Sequence, residues 1–312
     1  MKKICFSLML AVALFSSQSA LGWNGTGHII VARVAWDNMT PKARKNVVTL
    51  LMQAPNDACL RDLFPNDSRP LEIRQRQFFM LAATWPDVVR PGDHDTRPCI
   101  KYHQREWHFV DHFWTGISGD PAHPPTDNPK PIAAVNAVER LQLFRTFVVS
   151  SMPAQDRAMS LAWMLHLVGD IHQPLHTSGR ITQFPTEKQG DGGGNAFKLA
   201  PDFSLHSYWD GIVDRADQRK PGESFAAYID RVSNEFETAN PKSSFSQPAP
   251  GNFDLWALES LARAKADAYP KTLKRNQMPG ATYQAVTFRD ARVSIAEAGY
   301  RLADLLNQLF GS

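Results

Sequence analysis

The chain has 312 residues, 43% of them hydrophobic, enough for one large domain or two ordinary ones around a substantial buried core. Its 34 basic and 31 acidic side chains nearly cancel, and loss of Lys2 and Lys3 with a cleaved leader would leave 32 against 31, a net charge of +1. A general polyanion-binding face is therefore not indicated, and any affinity for nucleic acid has to come from a local site.

Met1, Lys2 and Lys3 form a short basic region, residues 4–15 an apolar run, and residues 16–22 a small, polar tract that ends Ala20-Leu21-Gly22. This is the pattern of a secretory signal peptide over residues 1–22, with cleavage before Trp23. The apolar run is too short for a stable transmembrane anchor, and no cysteine lies at the cut to carry a lipid. An exported protein, periplasmic or extracellular and without a membrane anchor, is expected. The mature chain would begin Trp23-Asn24-Gly25-Thr26-Gly27-His28, with a free α-amino group beside a histidine.

Apolar residues recur at spacings of three and four over 27–38, 41–52, 72–83, 132–150, 155–170, 205–216, 224–237, 254–268 and 287–309, and each reads as a helix. Pro41 after Thr40 marks a helix start. Strand signals are few and short. Loops rich in Pro, Gly and Asp fall at 90–98, 119–131, 178–195 and 243–252, and long loops in a helical domain often carry function. No linker or internal repeat divides residues 23–312, which read as a single all-α domain. Of three cysteines, Cys5 leaves with the signal; Cys59 and Cys99 remain as an even pair in an oxidising compartment. A disulfide is expected, and a cysteine-bound zinc is the lesser alternative because neither residue belongs to a C-x-x-C pair.

The densest chemistry lies in His166-Leu-Val-Gly-Asp170-Ile-His172-Gln-Pro-Leu-His176, echoed by His206-Ser-Tyr-Trp-Asp210. In a helix, residues four apart share a face, so each pair presents an imidazole and a carboxylate to one point. One such pair is ordinarily a surface hydrogen bond. Two pairs with His176 between them point to a metal centre, and nitrogen with carboxylate oxygen suits zinc. The apolar run 161–165 before His166 implies a buried helix, where unpaired charge is costly unless a metal or partner compensates.

Other segments are weaker alone. Asp87 and Arg90 would by default be a salt-bridged turn, and Trp107 and Phe109 core residues. His94, His103, His112 and His123 read as surface or structural residues. The run Gly192-Gly193-Gly194 is not a phosphate loop, because no Lys-Ser or Lys-Thr follows it.

Taken together, these residues resemble the zinc-dependent single-strand nuclease and 3′-nucleotidase family, the S-one and P-one type enzymes, through the whole of 23–312. The family pattern starts with a Trp and a nearby His, here Trp23 and His28. It continues with an Asp-x-x-Arg element (Asp87, Arg90), a His-Phe-x-Asp element (His108, Phe109, Asp111), the His166 to His176 segment, Gly193-Gly194-Asn195, and finally His206 to Asp210. Bacterial zinc phospholipases C share the fold and the trinuclear zinc arrangement, so fold alone does not fix the substrate. They typically place the first His farther from the Trp and end in His-x-x-x-Glu; the short Trp23 to His28 gap and Asp210 favour the nuclease. A secreted zinc-binding protein without catalysis is the third reading, against which Arg90 and Asp170 argue.

The resemblance implies a mainly helical domain with long loops around a trinuclear zinc cleft. Asp87, His108, His166 and Asp170 would hold one Zn²⁺, Trp23, His28 and a shared Asp170 a second, and His176, His206 and Asp210 a third. His172 is not a ligand position in the family pattern. Arg90 would bind the phosphate and, with Asp87 and Asp170, make up the catalytic set. Phe109 would stack a base whose edge Asp111 reads, which requires an unpaired base. The implied substrates are single-stranded DNA and RNA and 3′-nucleotides, and the products 5′-phosphates; separately, a monomer is expected.

Overall fold

A computed structural model describes residues 23–246 and 249–311. The signal sequence expected over residues 1–22 lies outside the described residues. Eleven α-helices are present among them: α1 (Gly25–Asn38), α2 (Pro41–Leu51), α3 (Leu71–Ala82), α4 (Trp85–Val88), α5 (Ala137–Phe147), α6 (Ala154–Asp170), α7 (Leu205–Asp210), α8 (Ile212–Ala216), α9 (Phe225–Ala239), α10 (Phe253–Arg263) and α11 (Ala281–Phe310). The mainly helical class expected from periodicity is what the structure has. None of the described helices is long and apolar enough to cross a membrane.

Three helices organise the interior. α1 is buried without interruption from Gly27 to Trp36, and α6 from Ala158 to Asp170, so each is enclosed on all sides rather than along one stripe. α11, the longest at 30 residues, packs along α1 and also touches α2, α6, α8 and α9. α1 starts where it does because the Asn24 carboxamide oxygen accepts the Gly27 amide at 3.1 Å, while its nitrogen donates to Asp214 at 2.6 Å.

The five short strands are confined to the loops. β1 (His112–Thr115) pairs antiparallel with β2 (Thr126–Asp127) and parallel with β3 (Ser178–Arg180), in register His112 to Ser178 and Trp114 to Arg180; β4 (Lys198–Ala200) and β5 (Phe203–Ser204) form a separate ribbon. The parallel pair does the most to position side chains, because β3 directly continues the turn that bears His176 and β1 follows the turn that bears His108 after three intervening residues. Just ahead of it the Val110 amide donates to the His176 carbonyl at 2.8 Å, which splices two distant loop segments together.

Four helix boundaries differ from those read in the sequence, each for a local reason. The segment 132–150 becomes helical only at Ala137, where Asn136 turns inward and its side chain accepts the amides of Val138 and Glu139. The segment 205–216 breaks at Gly211 into α7 and α8, and the Asp210 carbonyl next to the break accepts the amide of Asn24 at 3.0 Å. The segment 254–268 leaves α geometry after Arg263 and closes with one π turn over Ala264–Ala268. The last helix begins six residues earlier than expected, at Ala281 against 287, because one-sided apolar spacing is weak in its exposed first turns. The short helix α4 was not expected at all; Pro86 at its start favours helical backbone.

Cys59 and Cys99 are joined in a disulfide with Cα atoms 5.7 Å apart, across a sequence separation of 40. It ties the loop after α2 to the turn Pro98–Tyr102 that precedes the His108 segment. In the chain-entropy description, closing such a loop contributes about 4 kcal/mol. Reduction, or Cys59→Ser with Cys99→Ser, should lower the unfolding free energy by about that amount in a denaturant titration. An unchanged midpoint would show that the link does not constrain the unfolded chain.

Candidate metal centre

Six elements deliver the donors. His28 lies in the first turn of α1, Asp87 on α4, His108 at the end of the turn Arg105–His108, His166 and Asp170 in the last turns of α6, His176 in the turn Pro174–Thr177, and His206 and Asp210 on α7. They gather into three groups: His28, His166 and Asp170; Asp87, His108 and His166; and His176, His206 and Asp210, with the donor atoms of each group within 4.8 Å of one another.

Asp170 is common ground. Its Oδ1 lies 3.3 Å from His28 Nε2, and its Oδ2 lies 3.0 Å from His108 Nδ1 and 3.3 Å from His166 Nε2. Asp87 Oδ1 is 3.8 Å from His166 Nε2. In the third group His206 Nε2 is 3.5 Å from Asp210 Oδ2 and 3.1 Å from His176 Nε2. The grouping that the family resemblance implies sets His166 with Asp87, His108 and Asp170. In the structure its ring also stacks on His28 with centroids 3.8 Å apart, so it stands between two groups.

Backbone carbonyls settle which ring nitrogen faces inward. His166 Nδ1 contacts the Ala83 carbonyl at 2.8 Å, His176 Nδ1 the His108 carbonyl at 2.7 Å, and His206 Nδ1 the Gly193 carbonyl at 2.7 Å. A carbonyl only accepts, so each Nδ1 carries the proton and each Nε2 presents a lone pair to the cluster. His176 and His206 then turn two lone pairs on each other at 3.1 Å, an arrangement that repels unless a cation lies against both. Both ring nitrogens of His28, Nε2 of His108, Oδ1 of Asp170 and Oδ2 of Asp210 are buried without a hydrogen-bond partner among the described residues. Such groups are costly to bury unsatisfied. The donor set therefore fits metal ions.

The electrostatics agree. Burial drives the Asp170 carboxyl well above the usual carboxylate range, and repulsion from Asp87 and Asp210 adds to it. Asp87, which keeps 26% of its side-chain surface exposed, and Asp210 are raised chiefly by burial; Arg90 opposes the first and the Gln173 amide the second. Burial lowers His28, His108, His166 and His176 well below the ordinary histidine value, each helped by a neighbouring histidine, and brings His206 down to about 4. Neutral imidazoles are the form that binds metal, and a cation would restore charge to the carboxylates.

Packing holds these side chains in place. A Cβ on Gly169 would come within 2.7 Å of His28 Nδ1, so glycine lets α6 close on α1 at that ring. Gly193 has φ +59° and a Cβ there would collide with the Leu175 carbonyl, so the glycine run brings the backbone to His206. Gln173 donates to Asp210 Oδ1 at 2.7 Å while its own oxygen accepts the Leu175 amide. Gly169 and Gln173 sit inside the motif read from the sequence but received no role there, because neither is a ligand type.

Trp23 is fully buried, and the amide of Asn24 bonding to Asp210 holds the chain beside α7. Arg90 follows α4, its amide donating to the Asp87 carbonyl at 3.1 Å, and its charge acts on both Asp87 and His108. His172 points elsewhere: Nδ1 donates to the Val168 carbonyl at 2.7 Å and Nε2 accepts from Arg301 at 3.0 Å. His94 and His123 are exposed, His103 and His112 half-buried, and none of the four joins a group.

Beside the centre, Phe109 and Asp111 line a cavity of about 260 Å³ together with Phe113, Lys130 and Ile132. Burial and the charge of Asp191 push the Asp111 carboxyl up to about 7, against the pull of Lys130. Phe113 and Lys130 were not expected from the sequence; Lys130 lies in a proline-rich loop with no motif to mark it.

Comparison with known proteins agrees with this geometry. Nuclease S1 of Aspergillus oryzae is 21% identical over 249 residues, 75% of this chain and 69% of the fungal protein. Endonuclease 5 and Endonuclease 4 of Arabidopsis thaliana are 31% and 30% identical over 168 residues, 49% of this chain and 51%, about half, of each plant protein. The family model for S1/P1 nuclease matches residues 23–311, the whole of the described structure, and so the chain belongs to the S1/P1 nuclease family of metal-dependent nucleases.

Proposed function

We propose that this nuclease is an exported zinc enzyme that cleaves the P–O3′ bond of single-stranded DNA and RNA to leave 5′-phosphates, and that it also removes phosphate from 3′-nucleotides. The observation that carries the reading is the placement of Asp170, one carboxylate facing His28, His108 and His166, next to the His176, His206 and Asp210 group and a base-sized aromatic cavity. The mixed nitrogen and oxygen donors suit zinc, three ions in all. Zn²⁺ bound there would supply an activated water and polarise the phosphate.

The residues divide the remaining work. Asp170 and Asp210 would be held ionised by bound cations, and Asp170 faces the imidazoles of two groups at once. His166, His176 and His206 keep their Nδ1 protons on backbone carbonyls, so these rings serve as ligands and do not shuttle protons. Trp23, freed by cleavage after Gly22, would complete the group that contains His28 through its α-amino nitrogen. Arg90 places a guanidinium against the phosphate, where bidentate contacts stabilise the charge that grows in the transition state. Phe109 stacks a base and Asp111 accepts from its edge, so a base held in a duplex cannot engage without unpairing, at a cost of a few kcal/mol.

Metal analysis of the mature protein should give three zinc ions per chain. Asp170→Asn should lose metal from two groups and lower activity by more than about 100-fold, beyond what loss of a residue supporting a ligand costs, whereas Asp111→Asn should retain full metal. One zinc per chain, or an Asp170→Asn variant near wild-type rate, would refute the shared ligand.

End-group analysis of digests should show 5′-phosphates from single strands and slow cutting of duplexes. Phe109→Ala should weaken substrate binding by roughly 1–3 kcal/mol, while Arg90→Ala should mainly lower turnover. Products with 3′-phosphates would exclude the mechanism.

Mass spectrometry of the active protein should find Trp23 at its start. Full zinc content in a form that retains even one preceding residue would sink the proposed role of the Trp23 amine.

A further inference from the structure

The cavity beside the metal centre holds three polar side chains among its lining residues: Asp111, Lys130 and Asn136. Asn136 is spent within the protein. Its oxygen accepts the amides of Val138 at 2.9 Å and Glu139 at 3.0 Å, and its nitrogen donates to the Ala133 carbonyl at 2.8 Å. Asp111 accepts no hydrogen bond from the described residues. Lys130 Nζ stands 4.2 Å from the centre of the Phe113 ring and donates to the Gln189 carbonyl, with the Gln189 side-chain oxygen 3.4 Å away. These contacts fix the ammonium and leave donor capacity for a ligand.

Lys130 and Asp111 sense each other's charge but form no direct ion pair. A carboxylate and an ammonium thus border one aromatic-walled cavity with a gap between them, open to a flat group that has N–H on one side and C=O on the other. Guanine fits best. Its N1–H and N2–H can both donate to one carboxylate, and the adjacent O6 accepts from an ammonium. Uracil and thymine offer a single N–H. Adenine and cytosine offer an amino group beside a ring nitrogen whose lone pair repels the ionised carboxylate that Asp111 presents above about pH 7.

We propose that Asp111 and Lys130 together select guanine, with Asp111 accepting N1–H and N2–H, Lys130 donating to O6, and the ring lying against Phe109. This deepens the reading of Phe109 and Asp111 as a base site and rests on it.

Calorimetry of the zinc-loaded protein with the four 5′-ribonucleoside monophosphates at about pH 8, above the Asp111 value of about 7, tests the proposal, alongside initial rates on the four 3′-nucleotides. Guanosine monophosphate should bind about tenfold or more tighter than the adenosine form, and Lys130→Met and Asp111→Asn should each shrink that ratio by about tenfold. Equal affinity for all four bases, or no binding of any, would overturn the proposal. So would a Lys130→Met variant that weakens all four equally, because Lys130 would then be serving a phosphate. The two readings fail separately: guanine-selective binding without hydrolysis of any substrate removes the proposed activity alone, and hydrolysis without base preference removes the guanine site alone.

Discussion

Asp170 lies fully buried at the end of α6 with an oxygen turned to each of two sets of imidazoles, and among the described residues no lysine or arginine pairs with it. An isolated carboxylate in such a place would lose several kcal/mol of hydration. The histidines around it cannot supply the missing charge, since burial and their mutual repulsion hold them neutral. The interior of this protein is therefore arranged around a requirement for cations. Binding that satisfies the requirement also stabilises the folded state, because the donors come from segments as far apart as residues 28 and 210 and meet only after folding.

The rest of the fold works to keep those donors apart by fixed amounts before any cation arrives. α1 and α6 are enclosed on all sides, which leaves His28, His166 and Asp170 no room to swing outward. Where a helix could not reach, short turns anchored by backbone hydrogen bonds bring His108 and His176 into place. Rigid elements with prealigned ligands lose little conformational freedom on binding, which is how a site built from many segments can still be tight.

The sequence disclosed the helices and most of the ligand types because both leave regular marks. Periodicity exposed the enclosed helix before His166, and the spacing of four in His166 to Asp170 and His206 to Asp210 survives in the geometry of both pairs. What it could not disclose depends on contacts between distant segments. Nothing local ties Asn24 to Asp210, so the break at Gly211 was invisible. Lys130 sits in a loop without periodicity and gains meaning only from lying across a cavity from Asp111. The His28 ring stacked on His166 comes from another helix, a contact on which spacing along α6 is silent.

The splice between the His108 and His176 segments keeps two properties of the site separate. His176 donates from Nδ1 to the His108 carbonyl, and two residues on, the Val110 amide returns a bond to the His176 carbonyl. Main chain, common to every amino acid, thus sets the distance between two of the metal groups. Phe109, in extended backbone, and Asp111 flank Val110, and their side chains line the cavity. Their side chains can be exchanged without disturbing the bonds that gauge the metal spacing. On the proposed reading of Phe109 and Asp111 as the base site, base preference is in that sense an interchangeable part: a lineage, or a protein engineer, could retune which nucleotides are favoured while the metal groups stay in register.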